Sequence, residues 1–91
     1  MNPQIQHDPS RHRFTTTVDG HQGYVEYELR DGVMAITHTI VPAAIGGRGI
    51  AGDLVRSAFD YARAEGLKVV PVCSYAVDWA GKHPQYADLV S

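Results

Sequence analysis

The sequence predicts an α+β domain: a mixed, mostly antiparallel sheet with one main helix after a glycine-rich loop and a short C-terminal helical segment. Three observations indicate this fold. Strand-like runs are separated by Asp-Gly pairs, a glycine-rich loop opens an amphipathic pattern, and a β-rich run follows that pattern. With 91 residues, 44% hydrophobic and 20% charged, the chain has the composition of one small domain. We divide it into a tail or edge segment over residues 1–12 and a single domain over 13–91.

Two Asp-Gly pairs divide the first half of the domain into three strands. The β-branched run 13–18 precedes Asp19-Gly20, and the alternating run 24–29 precedes Asp31-Gly32 and a third run over 33–41. Because Asp-Gly favours tight hairpin turns, the three strands are predicted to form an antiparallel meander. Alternation assigns four residues of the third strand to one face: Met34, Ile36, His38 and Ile40.

The second half predicts a βαβ unit. Pro42 ends the third strand, and apolar residues then recur with helical spacing over 50–65 before Gly66. The run 67–73 is typical of a buried strand that lies parallel to the third strand after a right-handed crossover. A short helix near 77–82 and a last helical turn within 85–90 complete the prediction.

Charge and cysteine content exclude several classes of function. A net charge of -2 provides no basic surface for nucleic acid, and a single cysteine, Cys73, cannot form an intramolecular disulfide. The histidines show no metal-ligand spacing, and neither a signal sequence nor a long apolar run is present. We therefore expect a cytoplasmic protein with no metal, nucleic acid or membrane partner. Either a monomer or a homodimer is compatible with the sequence.

A glycine cluster, Gly46-Gly47-Arg48-Gly49, lies between the third strand and the main helix. The first N–H groups of a helix have no intrahelical acceptor, and residues without a Cβ allow an anion to approach them. The cluster therefore favours a phosphate-bearing ligand, with a purely structural turn as the alternative. No Lys-Ser or Lys-Thr pair follows the glycines, so this is not a Walker A loop.

Two stretches carry a family resemblance. Val41-Pro42, four intervening residues and Gly47-Arg48-Gly49-Ile50-Ala51 resemble the acetyl-CoA pyrophosphate loop of GCN5-related N-acetyltransferases, the GNAT superfamily. Cys73-Ser74-Tyr75 followed by His83-Pro84 is similar to the small single-domain type called minimal acetyltransferases. The resemblance covers about residues 17–90. It implies a GNAT-like fold and transfer of an acetyl group from acetyl-CoA, as cosubstrate, to an amine on a small molecule or a protein lysine.

The same resemblance implies where the CoA thioester binds. The strands over 33–41 and 67–73 would separate at their C-terminal ends, with pantetheine between them and the thioester close to Cys73. The implied cofactor contacts are Val41, Gly47, Arg48, Gly49, Ile50, Ala51, Cys73, Ser74, Lys82 and His83.

Three residues are the catalytic candidates, and each has a structural alternative. Cys73 is a candidate nucleophile or a small apolar filler. His38 is a candidate general base or a sheet histidine, and Tyr75, with Tyr86 as a second choice, is a candidate proton donor to the CoA thiolate or a packing residue.

Three positions depart from the family pattern. Gly46 stands where relatives favour Gln or Arg, and Ile40 and Gln85 stand where relatives often have Glu. These departures leave one alternative to an enzyme open, and the glycine cluster leaves a second. One is a non-catalytic CoA or acyl-CoA-binding module, and the other is a small protein-interaction domain in which the glycines only shape a turn.

Overall fold

The computed structural model describes residues 4–91 and contains one five-stranded sheet with the strand order β1-β2-β3-β4-β5. The first four strands are antiparallel neighbours and β5 is parallel to β4, which confirms the predicted α+β class. The strands are β1 (Gln6–Asp8), β2 (Arg13–Val18), β3 (His21–Arg30), β4 (Val33–Ile40) and β5 (Lys68–Pro71). The helices are α1 (Ile50–Glu65) and α2 (Ser74–Lys82), with 3-10 segments at Ala43–Ile45 and Pro84–Leu89.

The two predicted hairpin turns have the expected backbone. Asp19 and Gly20 have φ values of 51° and 77°, and Asp31 and Gly32 have 52° and 78°. Positive φ at both central residues is the signature of a type I′ turn, whose twist matches that of the flanking strands. The Asp-Gly pairs therefore form the β2–β3 and β3–β4 hairpins, as predicted.

The segment before residue 13 supplies an edge strand. In β1, His7 pairs with Phe14 of β2 and stacks on its ring with centroids 4.1 Å apart. His7 also bonds to the hydroxyl of Tyr27 and meets the ring of Tyr61 on α1. Residues 6–8 are thus docked on the sheet, and residues 1–3 of the predicted tail lie outside the described residues.

A β-bulge in β4 reverses part of the predicted strand face. Tyr27 of β3 pairs with Ile36, and the preceding residue Glu26 pairs with His38, so Thr37 is an extra residue in β4. Paired residues lie on the same face, and consecutive residues of β3 lie on opposite faces. The predicted common face of Met34, Ile36, His38 and Ile40 is therefore wrong beyond Ile36, because the bulge turns His38 and Ile40 to the other side.

The helices cover one face of the sheet. Helix α1 packs on β2, β3 and β4, and its Phe59 meets Trp79 of α2 with ring centroids 5.1 Å apart. The core is formed by buried apolar residues of these elements: Phe14, Val25, Tyr27, Met34, Ile36, Leu54, Val55, Phe59, Val69 and Trp79. The opposite face carries half-buried or exposed side chains, and we define four of them as the open face: Arg13, Tyr24, Glu26 and His38.

Glycine and cysteine set the helix ends. Gly66 follows α1 in a left-handed conformation, and its N–H donates to the carbonyls of Ala62 and Arg63. Helix α2 begins at Ser74, three residues before the predicted start, because the side chain of Cys73 caps it. Within the described 88 residues, no helix has the length and apolar character needed to cross a bilayer.

Candidate functional site

A slot opens where β4 and β5 separate. Their parallel pairing ends at Ile36 and Pro71, and the N–H groups of Val72 and Cys73 both donate to the Ile36 carbonyl, at 2.9 and 3.1 Å. The chain then turns into α2, whereas β4 continues to Ile40. In the described part of the chain, no strand pairs with β4 on this side beyond Ile36. We call the space between residues 37–40 and residues 72–74 the slot.

Cys73 lies at the wall of the slot. Its sulfur is 3.4 Å from the Thr39 hydroxyl oxygen and accepts the Ala76 N–H, also at 3.4 Å. Cys73 is therefore the N-cap of α2 and half-buried, with its sulfur at the positive end of the helix dipole. Ser74, the first residue of α2, is exposed beside it.

The glycine loop presents backbone donors at the start of α1. Gly47 and Gly49 have φ values of 76° and 79°, and a Cβ on either would meet no atom within 4 Å. Gly49 is the N-cap and has no side chain to bind the N–H groups of the first turn, which Ile50 and Ala51 begin. The buried Ile50 side chain fixes this turn, and no side chain caps its N–H groups.

The loop is anchored on both sides of the glycines. Ile45 is buried in the core, and the N–H of Gly46 donates to the Ala43 carbonyl at 3.1 Å. Val41, half-buried, lies against Gly23 of β3, where a Cβ would be 3.5 Å from its Cγ2. The donors of the loop are therefore held in place before any ligand binds.

Arg48 is the cation of the loop, and it has a protein partner. Its Nη1 donates to Oδ2 of Asp19, in the β2–β3 turn, at 2.7 Å. Both side chains are largely exposed, so the contact is a surface ion pair that a phosphate can compete with.

Two other basic residues predicted to contact the cofactor, Lys82 and His83, lie away from the slot. Lys82 pairs with Asp78 at 3.1 Å, and His83 bonds to the Trp79 carbonyl at 2.7 Å and stacks on its indole. Lys82 follows Ser74 by eight residues, which places it about 12 Å further along α2. The structure therefore does not bring Lys82 and His83 together with Cys73.

The two tyrosines have different surroundings. Tyr75 follows the slot and lies against α1, where a Cβ on Gly52 would be 3.4 Å from its hydroxyl. Burial, with the Asp78 charge, raises the pKa of Tyr75, so the hydroxyl keeps its proton at neutral pH. Tyr86 is buried, and its hydroxyl donates to Oδ1 of Asp60 at 2.6 Å.

Gly52 of α1 lies at the contact with α2, a role that the sequence analysis did not predict. A Cβ at this position would also lie 3.5 Å from the Trp79 indole nitrogen, so the glycine allows α1 and α2 to approach closely. The available signal was a lone glycine inside a helical pattern, which often has a packing reason.

His38 is on the opposite side of the sheet from the core. Its Nδ1 is 3.1 Å from the Thr37 hydroxyl oxygen and 3.4 Å from Oε1 of Glu26. Ile40, at one of the positions that departs from the family pattern, is 46% exposed on the same side. Among residues 4–91, no three His, Cys, Asp or Glu side chains are grouped so as to hold a metal ion.

Comparison with known proteins connects this geometry to a family. A family model described as GCN5-related N-acetyl-transferase matches residues 13–89, which include every strand except β1, both helices and the glycine loop. The chain belongs to this GCN5-related N-acetyltransferase family. Membership supports acetyl transfer as the general chemistry of the site.

Individual relatives and one solved structure are also similar to this chain. Protein NATD1 of Gallus gallus is 33% identical over 84 residues, which are 89% of this chain and 76% of the relative. Protein NATD1 of Homo sapiens is 32% identical over the same length, 74% of that relative. The NMR solution structure of a GCN5-like protein from Staphylococcus aureus matches 99% of this chain and 89% of its own, with 26% identity and a TM-score of 0.77. The fold is therefore the GNAT fold, as the resemblance implied.

Proposed function

We propose that the protein is an acetyl-CoA-dependent N-acetyltransferase that acetylates a primary amine, on a small molecule or a lysine side chain. The slot is the observation that supports this most directly. It combines an unpaired edge of β4 with a loop that leaves the same strand and opens α1 with uncapped N–H groups. An extended thioester with an anionic head can use both features at once.

The head of the cosubstrate binds at the loop. The backbone N–H groups of residues 47–51 donate to the pyrophosphate oxygens, and the α1 dipole favours the negative charge of these oxygens. Arg48 is placed to exchange Asp19 for a phosphate oxygen, because both partners of that ion pair are exposed. Val41 lies where the chain leaves β4 for this loop.

The arm of the cosubstrate lies in the slot. Its amide groups pair with the free backbone groups of residues 37–40, as an added strand does, and its thioester reaches Cys73 and Ser74. Tyr75 follows directly and retains a proton that the leaving thiolate can take.

We propose direct attack of the amine on the thioester rather than an acetyl-cysteine intermediate. One common way to activate a nucleophilic cysteine is a general base within hydrogen-bond reach. Within the described residues, the hydrogen-bond partners of the Cys73 sulfur are the Thr39 hydroxyl and the Ala76 N–H, neither of which is such a base. Cys73 then forms the wall against which the acetyl group rests.

Calorimetric titration with CoA, followed by an assay of free CoA thiol released from acetyl-CoA with a panel of primary amines, tests the proposal. We expect saturable binding and amine-dependent thiol release. Absence of binding at millimolar CoA would contradict the proposal, since the loop donors would then have no phosphate ligand.

A non-catalytic CoA-binding module is the second candidate. The exposed, apolar Ile40 favours it, because this side chain cannot act as a general base, unlike the glutamate that the family resemblance implies here. The same two measurements separate the candidates: the module binds CoA and acetyl-CoA but releases no thiol with any amine.

A further inference from the structure

The open face contains a connected polar network centred on Glu26. Nε of Arg13 donates to Oε2 of Glu26 at 2.9 Å, and the Arg13 guanidinium lies 4.1 Å from the centre of the Tyr24 ring. The other carboxylate oxygen, Oε1, is 3.4 Å from Nδ1 of His38. The bulge at Thr37 creates this contact, because it places His38 directly opposite Glu26.

The hydrogen bonds around His38 assign its ring proton. The Thr37 hydroxyl donates its single proton to the Glu26 backbone carbonyl at 3.2 Å, so it can only accept from Nδ1 of His38. The ionised Glu26 carboxylate is also only an acceptor. The hydrogen of the neutral ring is therefore on Nδ1, and Nε2 keeps a free lone pair.

His38 is also at the level of the slot. It precedes Thr39, whose hydroxyl is 3.4 Å from the Cys73 sulfur, but its ring projects from the open face. The side chain is 61% exposed and borders a shallow cavity of about 310 Å³ that Arg11, Glu26, Glu28 and Thr37 also line. An amine that enters this cavity lies beside the His38 ring, on the side of β4 opposite α1.

We propose that His38 Nε2 is the general base for the acceptor amine, and that Glu26 and Thr37 are positioning residues that hold its tautomer. This inference rests on the proposed acetyl transfer. Nε2 takes one proton from the ammonium form of the acceptor, and the neutral amine attacks the thioester carbonyl carbon. A C–N bond forms, the C–S bond breaks, and sulfur leaves with the electron pair as the CoA thiolate. The thiolate takes its proton from Tyr75, and the second amine proton returns to Tyr75 through solvent.

The tautomer is tested in the free protein, without any substrate. Long-range ¹H–¹⁵N NMR at alkaline pH reports which nitrogen of His38 carries the proton. We expect the Nδ1–H form in the wild type and in the conservative Thr37→Ser variant. The double variant Glu26→Ala with Thr37→Val removes both acceptors and should shift the ring toward the Nε2–H form. An Nε2–H ring in the wild type overturns the assigned role of Glu26 and Thr37.

The catalytic role is tested by chemical rescue. We expect His38→Ala to lower kcat by about 100-fold, in the range that general base catalysis contributes, with CoA affinity unchanged in calorimetry. Added imidazole should restore part of the rate, because the site is open and the missing group is small. His21→Ala, which removes an exposed histidine from the start of β3, is the matched control and should show neither effect.

The outcomes separate this inference from the proposed function. Full activity of His38→Ala, or a loss that imidazole does not restore, overturns the base assignment while amine acetylation by the wild type stands. A wild type that binds CoA but acetylates no amine overturns both. In the NMR test, Glu65→Gln at the exposed end of α1 is the control for removal of the Glu26 carboxylate and should leave the His38 tautomer unchanged.

Discussion

The sulfur of Cys73 lies 3.4 Å from the hydroxyl oxygen of Thr39, across the gap where β4 and β5 have stopped pairing. This contact joins the two walls of the slot. The same sulfur accepts the Ala76 N–H, so one side chain contacts the opposite wall of the slot and caps the start of α2. A structural role and a chemical role for Cys73 therefore make different predictions.

Cys73→Ser should retain amine acetylation within a few-fold, because direct transfer does not need the thiol. Serine is also a preferred N-cap residue, so α2 should remain capped. Cys73→Ala should unfold more easily, by about 1 kcal/mol, because the cap is lost. Thiol-release kinetics and urea unfolding measure the two effects. Abolished turnover in a stable Cys73→Ser protein would favour an acetyl-cysteine intermediate instead.

Gly49→Ala should weaken CoA binding, whereas Gly66→Ala should not. Both glycines have positive φ, 79° and 71°, at opposite ends of α1, so each alanine costs about 1 kcal/mol of stability. Only Gly49 lies in the loop proposed to hold the pyrophosphate. Calorimetry with CoA on the two variants, matched by urea unfolding, checks the difference. Equal CoA affinities of the Gly49→Ala and Gly66→Ala variants would show that the loop is not part of the CoA-binding site.

Charge changes at the Arg48–Asp19 pair should act on CoA binding in opposite directions. Arg48→Gln removes a phosphate partner and should lower affinity roughly 3- to 10-fold, with little loss of stability because the pair is exposed. Asp19→Asn frees the guanidinium and should raise affinity, and asparagine tolerates the positive φ of this turn position. Binding measured at low and high salt tests both, with Arg30→Gln as the control. Identical affinities for all four proteins would contradict the role of Arg48.

Gly52 should accept alanine but not a larger side chain. Alanine improves helix propensity by about 1 kcal/mol, and its Cβ fits at 3.4 Å from the Tyr75 hydroxyl. Gly52→Leu must displace Tyr75 or Trp79 and should cost about 1–3 kcal/mol. Gly81→Leu in α2, where a Cβ meets nothing within 4 Å, is the control and should not destabilise. Thermal unfolding of the three variants measures the effect, and a stable Gly52→Leu protein would show that α2 can move away from α1.

Acid should weaken the docking of β1 through His7. Burial, with a contribution from the nearby His12 charge, lowers the pKa of His7 despite the opposing charge of Asp8. A lowered folded-state pKa means that the unfolded chain binds the proton more readily. The contribution of neutral His7 to the free energy of unfolding is then fully present above the pKa of His7 in the unfolded chain, about 6.5. This contribution is lost as the pH falls through the lower pKa of His7 in the folded protein.

Urea unfolding between about pH 5 and 8 tests this dependence on His7. Below about pH 6.5, the free energy of unfolding of the wild type should decrease as the pH falls. The uptake of up to one proton by His7 on unfolding should contribute to that slope. His7→Gln should remove that part of the slope, whereas His21→Gln, at an exposed position, should keep it. Equal slopes for the wild type and His7→Gln would show that His7 is not coupled to folding.

Local patterns determined most of the fold. Asp-Gly pairs, alternation and helical spacing predicted three antiparallel strands, the main helix and a parallel final strand, because turn conformation and amphipathic periodicity depend on neighbouring residues. The predicted strands differ from the observed ones mainly at their ends. β3 extends to His21–Arg30, and β5 is only Lys68–Pro71. Strand ends are set by hydrogen bonding to neighbours, which one segment does not encode.

The sequence by itself determined the family, the glycine loop and a strand before α2 with Cys73 near its end, although it included Cys73 in that strand. The tertiary structure decided which side chains meet. It introduced the bulge at Thr37, which moves His38 to the face of Glu26, and it committed the Tyr86 hydroxyl to Asp60. A bulge depends on the register between two strands, and a buried hydroxyl binds whichever partner the packing brings within reach. Both are relations between distant segments, so they appear only when the chain has folded.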